Sequence, residues 1–525
     1  MKHQNVIVGT MILSGASILT RIVGFAFRVY INKALGPEGV GVYQLIVSLY
    51  TLMVTFASSG VSVAVSKLTA EQFALGHIAN AKKILHKAIA IALFLGLTVG
   101  GLLFTFGDVI ARNYLNEPRA ALALLYLAPS LPVLAVTACL RGYLIAKRSV
   151  VKPALDQITE QMLKIVFITF FMESWMSKGL EYGCALILLG MTLGEIVSFF
   201  FLFIGYRIEK DGVTSGRKAD ITGVVSKIVA ICIPISLSSY VRSGLRLVED
   251  IFIVSGFRKF AGDGVAATET YGLLRGMAMP LLTFPLSMLS AFVVMLTPEI
   301  SRLSVTKDSR GLGRTVSKLL QFTSIIGIFI VGVYVTFSYE LGMAVYGDPR
   351  VGETLRTMAF LCPFMCLEMV VVSILGGLGD QVSPMRYSIL DSVLRVGLVY
   401  LLIPMDGVRG FLLMVVISNL LTSILNLRRL LSKVQLSFNF REWLLKPALA
   451  ALAAQQCFQA VGNLWLYQRI PVAPALILGI ILTAMVYITT LYFLGSFDKK
   501  DVKWLVGRFQ LTQKKKLSQP LKEAI

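Results

Sequence analysis

Apolar stretches long enough to cross a bilayer, about 20 residues each, recur along this chain with only short polar breaks, and nothing in the sequence constrains the fold more. They run roughly over 5–33, 39–70, 88–107, 120–146, 154–173 and 181–206. They resume over 224–256, 268–298, 319–339, 355–379, 385–404, 408–427, 444–463 and 472–495. The spacing predicts about fourteen membrane helices. Hydrocarbon offers no water to unpaired N–H and C=O groups, so helix-length spans of this kind select an all-α polytopic bundle. Composition agrees: 56% of residues are hydrophobic, 15% are charged and the mean hydropathy is +0.76, values that exclude an ordinary soluble fold. Lys2 and the apolar run Val6 to Leu19 look like a signal peptide. Arg21 and Arg28 follow with no small-residue cleavage site between, however, so the segment reads as an uncleaved first helix.

The formal net charge is +21. In a soluble domain that suggests nucleic acid, but a basic groove needs a soluble scaffold, so the charge is read as topology instead. One set of loops holds Lys82, Lys83 and Lys87; Lys147, Arg148 and Lys152; Arg207, Lys210, Arg217 and Lys218; Arg302, Lys307, Arg310, Arg314 and Lys318; and Arg428, Arg429, Lys433 and Arg441. The alternate loops, such as 108–118, 173–181 and 340–353, are short and poor in basic residues. The positive-inside rule places the first set and both termini in the cytoplasm, with the protein in the cell (inner) membrane. The basic tail Lys499 to Lys522 fits the same side, with Trp504 and Phe509 near Lys514, Lys515 and Lys516 for contact with anionic lipid.

Cys139, Cys184, Cys232, Cys362, Cys366 and Cys457 all lie in apolar stretches and read as packing residues, Cys362 and Cys366 included, because no histidine or further cysteine neighbours that pair. His3, His77 and His86 fall in polar segments, so no intramembrane histidine relay is expected. There is no Gly-rich loop ending Gly-Lys-Ser/Thr, no His-Glu-x-x-His and no Gly-x-Ser-x-Gly. The reading is therefore a non-enzyme that needs no cofactor or metal and does not burn ATP itself.

The half-chain repeats. Ala128-Pro129, Leu140-Arg141-Gly142, Lys152-Pro153, Glu160 and Lys164 are matched in order and near spacing by Cys362-Pro363, Leu375-Gly376-Gly377, Ser383-Pro384, Asp391 and Arg395. Gly36-Pro37-Glu38-Gly39-Val40 is echoed by Gly262-Asp263-Gly264-Val265. Six helices per half return each half to its starting side, which makes the repeat parallel about an axis along the membrane normal, with a substrate cavity between lobes. The expected division is a lobe at 1–215, a second at 216–432, and two extra helices with the basic tail at 433–525.

Charges at membrane depth are the functional candidates, since each costs about 2.5–3.5 kcal/mol to insert. Arg21 and Arg28 share one face of the first helix, Arg242 and Arg246 share one face of the seventh, and Arg275 enters the eighth. The first and seventh helices are equivalent in the repeat, so these arginines converge on one cavity, and guanidinium forks suit phosphate. Against that, Arg246 is spaced to pair with Glu249 or Asp250 on its own helix. Glu160 with Lys164 and Asp391 with Arg395 are spaced as intrahelical ion pairs. Glu195, Glu249, Asp250 and Glu368 stand as possible cation or proton sites, and Pro234, Pro280, Pro285 and Pro363 as kinks or hinges.

With those residues in place, the sequence resembles the stage V sporulation protein B branch of the polysaccharide-export group, within the multidrug, oligosaccharidyl-lipid and polysaccharide exporter superfamily. The resembling stretches are Thr20-Arg21-Ile22-Val23-Gly24-Phe25 with Arg28, Gly36 to Tyr43, Val65-Ser66-Lys67-Leu68 and Leu140-Arg141-Gly142-Tyr143. The first is also similar to the opening helix of lipid II flippases, in which the arginine matching Arg21 lines the cavity. Those flippases carry a second arginine six residues later followed by an acid, where this chain has Phe27 and Arg28. The resemblance implies a flippase for a polyprenyl-diphosphate-linked saccharide, lipid II for spore cortex peptidoglycan, working by alternating access amid membrane lipids and cell-wall synthesis proteins. It also suggests a cation site using Asp250 and Asp391. The competing readings are a multidrug or cation antiporter on the same fold, a flippase for teichoic or capsular precursors, and a non-transporting membrane scaffold.

Overall fold

The computed structural model describes residues 2–149, 151–208, 223–306, 308–436, 439–469 and 471–496. The expected lipid-binding tail from Lys499 and the segment carrying Lys210, Arg217 and Lys218 lie outside the described residues. Every regular element described is helical. Ten helices or joined helix pairs are long and apolar enough to cross a membrane, or eleven if the pair 118–127 and 130–146, bent by 45°, counts as one span. Three features bring this into line with the sequence spacing. The first of these spans, 19–74, contains two crossings on either side of a break at Gly36. The helix Val151–Met176 carries Asp156, Glu160 and Lys164, and Lys446–Arg469 carries Gln455, Gln456 and Gln459, polarity enough to keep both below the apolar threshold. The chain is an all-α, multi-pass membrane protein.

It forms two compact units, residues 4–277 with 389–415, and residues 1–3 and 278–388 with 416–525. In the larger unit the helices are α1 (Lys2–Ser58), α2 (Val61–Ala74), α3 (Ile78–Val109), α4 (Ala121–Leu127), α5 (Ser130–Ala146), α6 (Val151–Met176), α7 (Leu180–Ile208), α8 (Val224–Ala261) and α9 (Gly264–Tyr271). A π-helical turn, Gly272–Ala278, leaves α9 for α10 (Met279–Val305). The smaller unit holds most of α10 to α13, namely α11 (Ser309–Tyr346), α12 (Pro349–Met358) and α13 (Cys362–Gly377), together with α16 (Lys446–Arg469) and α17 (Val472–Phe493). Of α14 (Val382–Asp406) and α15 (Val408–Leu431), the stretch 389–415 belongs to the larger unit.

Local chemistry sets the breaks. Gly36 sits inside α1 at φ +67° and ψ 171°, a region essentially reserved for glycine that costs other residues about 1–3 kcal/mol, and Pro37 then restarts the helix without needing an amide donor. Gly262 ends α8 in the left-handed conformation at φ +72°, and Asp263 caps α9 by accepting from the Val265 and Ala266 amides at 3.1 Å each. The two echoed glycine motifs thus both break the helix at a positive φ, with different ψ. Of the expected proline kinks, Pro234 lies inside α8, whereas Pro280 and Pro363 sit in the first turns of α10 and α13, where a missing N–H is harmless.

Small residues bring the helices of the larger unit together. Ala57, Ala64, Ala88, Cys139 and Tyr143 form one buried cluster across α1, α2, α3 and α5. Gly96 and Gly100 of α3 lie against the α5 start at Pro132 and the Ala128 carbonyl, the close approach that lets membrane helices associate without a hydrophobic driving force. Beyond its break, α1 runs on α9, where Gly41 faces the Thr268 backbone and Gly272 faces the Pro37 carbonyl so closely that neither position has room for a Cβ. It then runs antiparallel to α8, through a Thr55–Ser243 hydroxyl contact of 3.0 Å and the Phe56–Tyr240 ring pair at 4.5 Å. In the smaller unit, Phe337 packs on Phe458, and Tyr487 donates to the Ile325 carbonyl at 2.9 Å. All six cysteines are free, four of them buried, in keeping with a packing role.

Candidate functional site

Two buried ion networks lie in the larger unit. In the first, α5 and α6 bring Arg141 to Asp156 at 2.7 Å, with Glu160 3.6 Å away. Asp156 is fully buried and also accepts from the Ser198 hydroxyl of α7 at 2.7 Å. Lys164 reaches back one turn to Glu160 at 2.9 Å, the intrahelical pair that the spacing predicts. Gly194 of α7 lies against the Lys164 and Glu160 stems, which places Glu195 beside the network. The sequence reading passed over the Arg141–Asp156 contact; its signal was a charged Leu-Arg-Gly within an otherwise apolar span.

In the second network, Arg275 of the π turn bonds Glu249 at 2.6 Å and lies 3.2 Å from Asp250, both on α8. Arg395 of α14 pairs with Asp391 at 2.9 Å, as its spacing predicts, and lies 3.7 Å from Glu249. The Ser48 hydroxyl of α1 donates a short hydrogen bond to Asp250. Nearby, Asn32 of α1 donates to the Gly276 carbonyl at 2.8 Å. So Arg275, Glu249, Asp250 and Asp391 come together, and the partner of the two α8 carboxylates is Arg275 rather than Arg246. The reason is orientation: Glu249 and Asp250 point into the bundle, each 4% exposed, while Arg246 is exposed.

The other arginines behave differently. Arg21 and Arg28 on α1 and Arg242 and Arg246 on α8 are all exposed. Among the described residues, no carboxylate lies within 4 Å of Arg28, Arg242 or Arg246, whereas the half-buried Arg141, Arg275 and Arg395 are all paired. A guanidinium left uncompensated at membrane depth must face water or an anion. Of the remaining acids, Glu368 of α13 accepts from Thr422 of α15 at 2.8 Å. Asp380, in the loop after α13, is gripped by Arg429 at 2.6 Å and Lys433 at 3.0 Å. The Ser383 hydroxyl, ahead of Lys433 and Arg429, holds its carboxyl well below the usual carboxylate range.

Helical spans throughout, two buried ion networks and exposed guanidiniums on α1 and α8 together define a polytopic membrane protein with charge held inside its bundle. A family model described as "Polysaccharide biosynthesis protein" matches residues 6–304, more than half of the chain, and the chain belongs to that family. It is 27% identical over 466 residues to stage V sporulation protein B of Bacillus subtilis (strain 168), a match spanning 86% of this chain and 88% of that one. Its fold is similar to the solved lipid II flippase MurJ in an inward closed conformation, with a TM-score of 0.71 at 16% identity over 92% and 98% of the two chains. An inward-facing multidrug resistance MATE transporter of the MOP superfamily aligns with a TM-score of 0.64 at 16% identity over 79% and 95%. The chain is therefore a multi-pass membrane protein of this family, with a fold like that of solved transporters of the MOP superfamily.

Proposed function

We propose that this transporter moves a polyprenyl-diphosphate-linked saccharide, lipid II for spore cortex peptidoglycan, from the inner to the outer leaflet. The termini are in the cytoplasm, and the lobes 1–215 and 216–432 alternate access to a cavity into which Arg21, Arg28, Arg242 and Arg246 project. The observation that carries this reading is the contrast among the arginines: those at the networks are neutralised by carboxylates, and those on α1 and α8 are exposed. Planar guanidiniums in a polar cavity bind a diphosphate bidentately and more strongly than they bind water. Arg275, held by Glu249 and Asp250, acts by shaping that cavity and not by gripping the cargo. Glu249, Asp250 and Asp391, drawn together by Arg275 and Arg395, are the candidate cation site of the cycle. Likeness to stage V sporulation protein B supports the cargo assignment.

The test is flipping of fluorescently labelled lipid II in proteoliposomes. Arg21→Ala removes one charge-assisted contact, and a loss of about 1.5–3 kcal/mol predicts flipping at least about 10-fold slower. Unimpaired flipping by this variant removes the arginine-cavity mechanism.

A further inference from the structure

On the side opposite the basic loops, three short connections of the larger unit meet around one arginine. Arg119 opens the turn Pro118–Ala120 between α3 and α4. Its guanidinium bonds Glu117 at 2.6 Å and, through a second nitrogen, Glu38 just past the α1 break. Glu117 is itself buried, and its other carboxylate oxygen accepts from the Thr268 hydroxyl of α9 at 3.4 Å. One residue earlier, Asn116 adopts a left-handed backbone at φ +53°, and its carbonyl accepts from Arg258 near the end of α8 at 3.1 Å. Left-handed Asn costs energy and persists only where its surroundings hold it. These ionic contacts lie over the place where α1 and α9 touch backbone to backbone.

We propose that residues 116–119 form a strap that ties α1 to the α8–α9 turn and keeps the transporter shut on its outer side, and that breaking its Arg119 and Arg258 contacts is a required step in outward opening. The inference rests on the transport reading above, but it concerns a contact rather than a cargo. In the strapped state Arg119 neutralises Glu38 and Glu117 together. On release both acids and the arginine gain water, so closed and open forms differ by a few exchangeable polar contacts, as a switch in repeated use requires.

The experiment reads opening without reference to cargo. In a background lacking Cys232 and Cys457, the two cysteines that are not fully buried, Arg28→Cys serves as reporter for a membrane-impermeant thiol reagent added from outside to right-side-out vesicles. Adding Arg119→Ala and Arg258→Ala is expected to speed labelling at least about five-fold, since losing two such contacts shifts the equilibrium by 1 kcal/mol or more. In a second variant, Glu117→Cys with Thr268→Cys, an oxidised cross-link is expected to stop labelling of the same reporter and reductant to restore it. An unchanged labelling rate in the double alanine variant, or labelling unaffected by the cross-link, overturns the strap. If labelling responds as expected while lipid II is not flipped by the parent protein, the cargo assignment fails and the strap stands.

Discussion

Among the described residues, Asp156 is the most deeply buried carboxylate. It is fully buried, it takes the Arg141 guanidinium at 2.7 Å, and it is capped by Ser198. Removing one partner of such a pair strands the other, at a cost of roughly 3–5 kcal/mol, whereas replacing both by apolar groups of similar volume comes near neutral. Asp156→Ala should therefore lower thermal stability in detergent sharply, and Arg141→Leu with Asp156→Leu should recover most of it; equal losses from the two would count against the pair. Residue pairing is also where sequence reading reached its limit. Glu160–Lys164 and Asp391–Arg395 were legible because one helical turn fixes their separation before any tertiary structure forms. Arg141–Asp156 and Arg275–Glu249 join residues on different helices, and no local period encodes that. The same limit makes Arg246 look like the natural partner of Glu249, although the carboxylates of α8 turn inward and Arg246 does not.

At the scale of elements, spans and their breaks were readable for different reasons. Spans follow from the length of apolar runs, which lipid enforces. Breaks follow from Gly and Pro, and the echoed Gly36 and Gly262 motifs both have a positive φ, with ψ of 171° and −2° respectively. What composition could not reveal is which glycines serve shape and which serve contact. Gly36 has nothing within 4 Å of a would-be side chain, so Gly36→Ala should cost only the backbone strain, about 1–3 kcal/mol. Gly41 is right-handed but meets the Thr268 backbone, so Gly41→Ala must push α1 off α9, and overpacking of that kind costs about 1–3 kcal/mol together with a changed helix contact. The two are separable by the impermeant-thiol assay: Gly41→Ala should admit reagent from outside and Gly36→Ala should not. The reverse pattern would show that the α1–α9 contact does not seal this side.

For the whole molecule, the proposed export of a lipid diphosphate can be driven by the membrane potential. Moving two negative charges outward across 100 mV, inside negative, is favourable by about 4.6 kcal/mol. Flipping in proteoliposomes should accordingly accelerate when a potassium-diffusion potential is imposed with the inside negative and slow when its sign is reversed; indifference to both would count against the potential as the drive. Cells expressing the protein should gain no resistance to cationic drugs, because exposed guanidiniums repel them. The glycine bends inside α1 and after α8 share a positive φ but differ in ψ, 171° against −2°, so on the two-half reading each half has its own turn geometry, and exchanging the two motifs would misdirect the helix that follows.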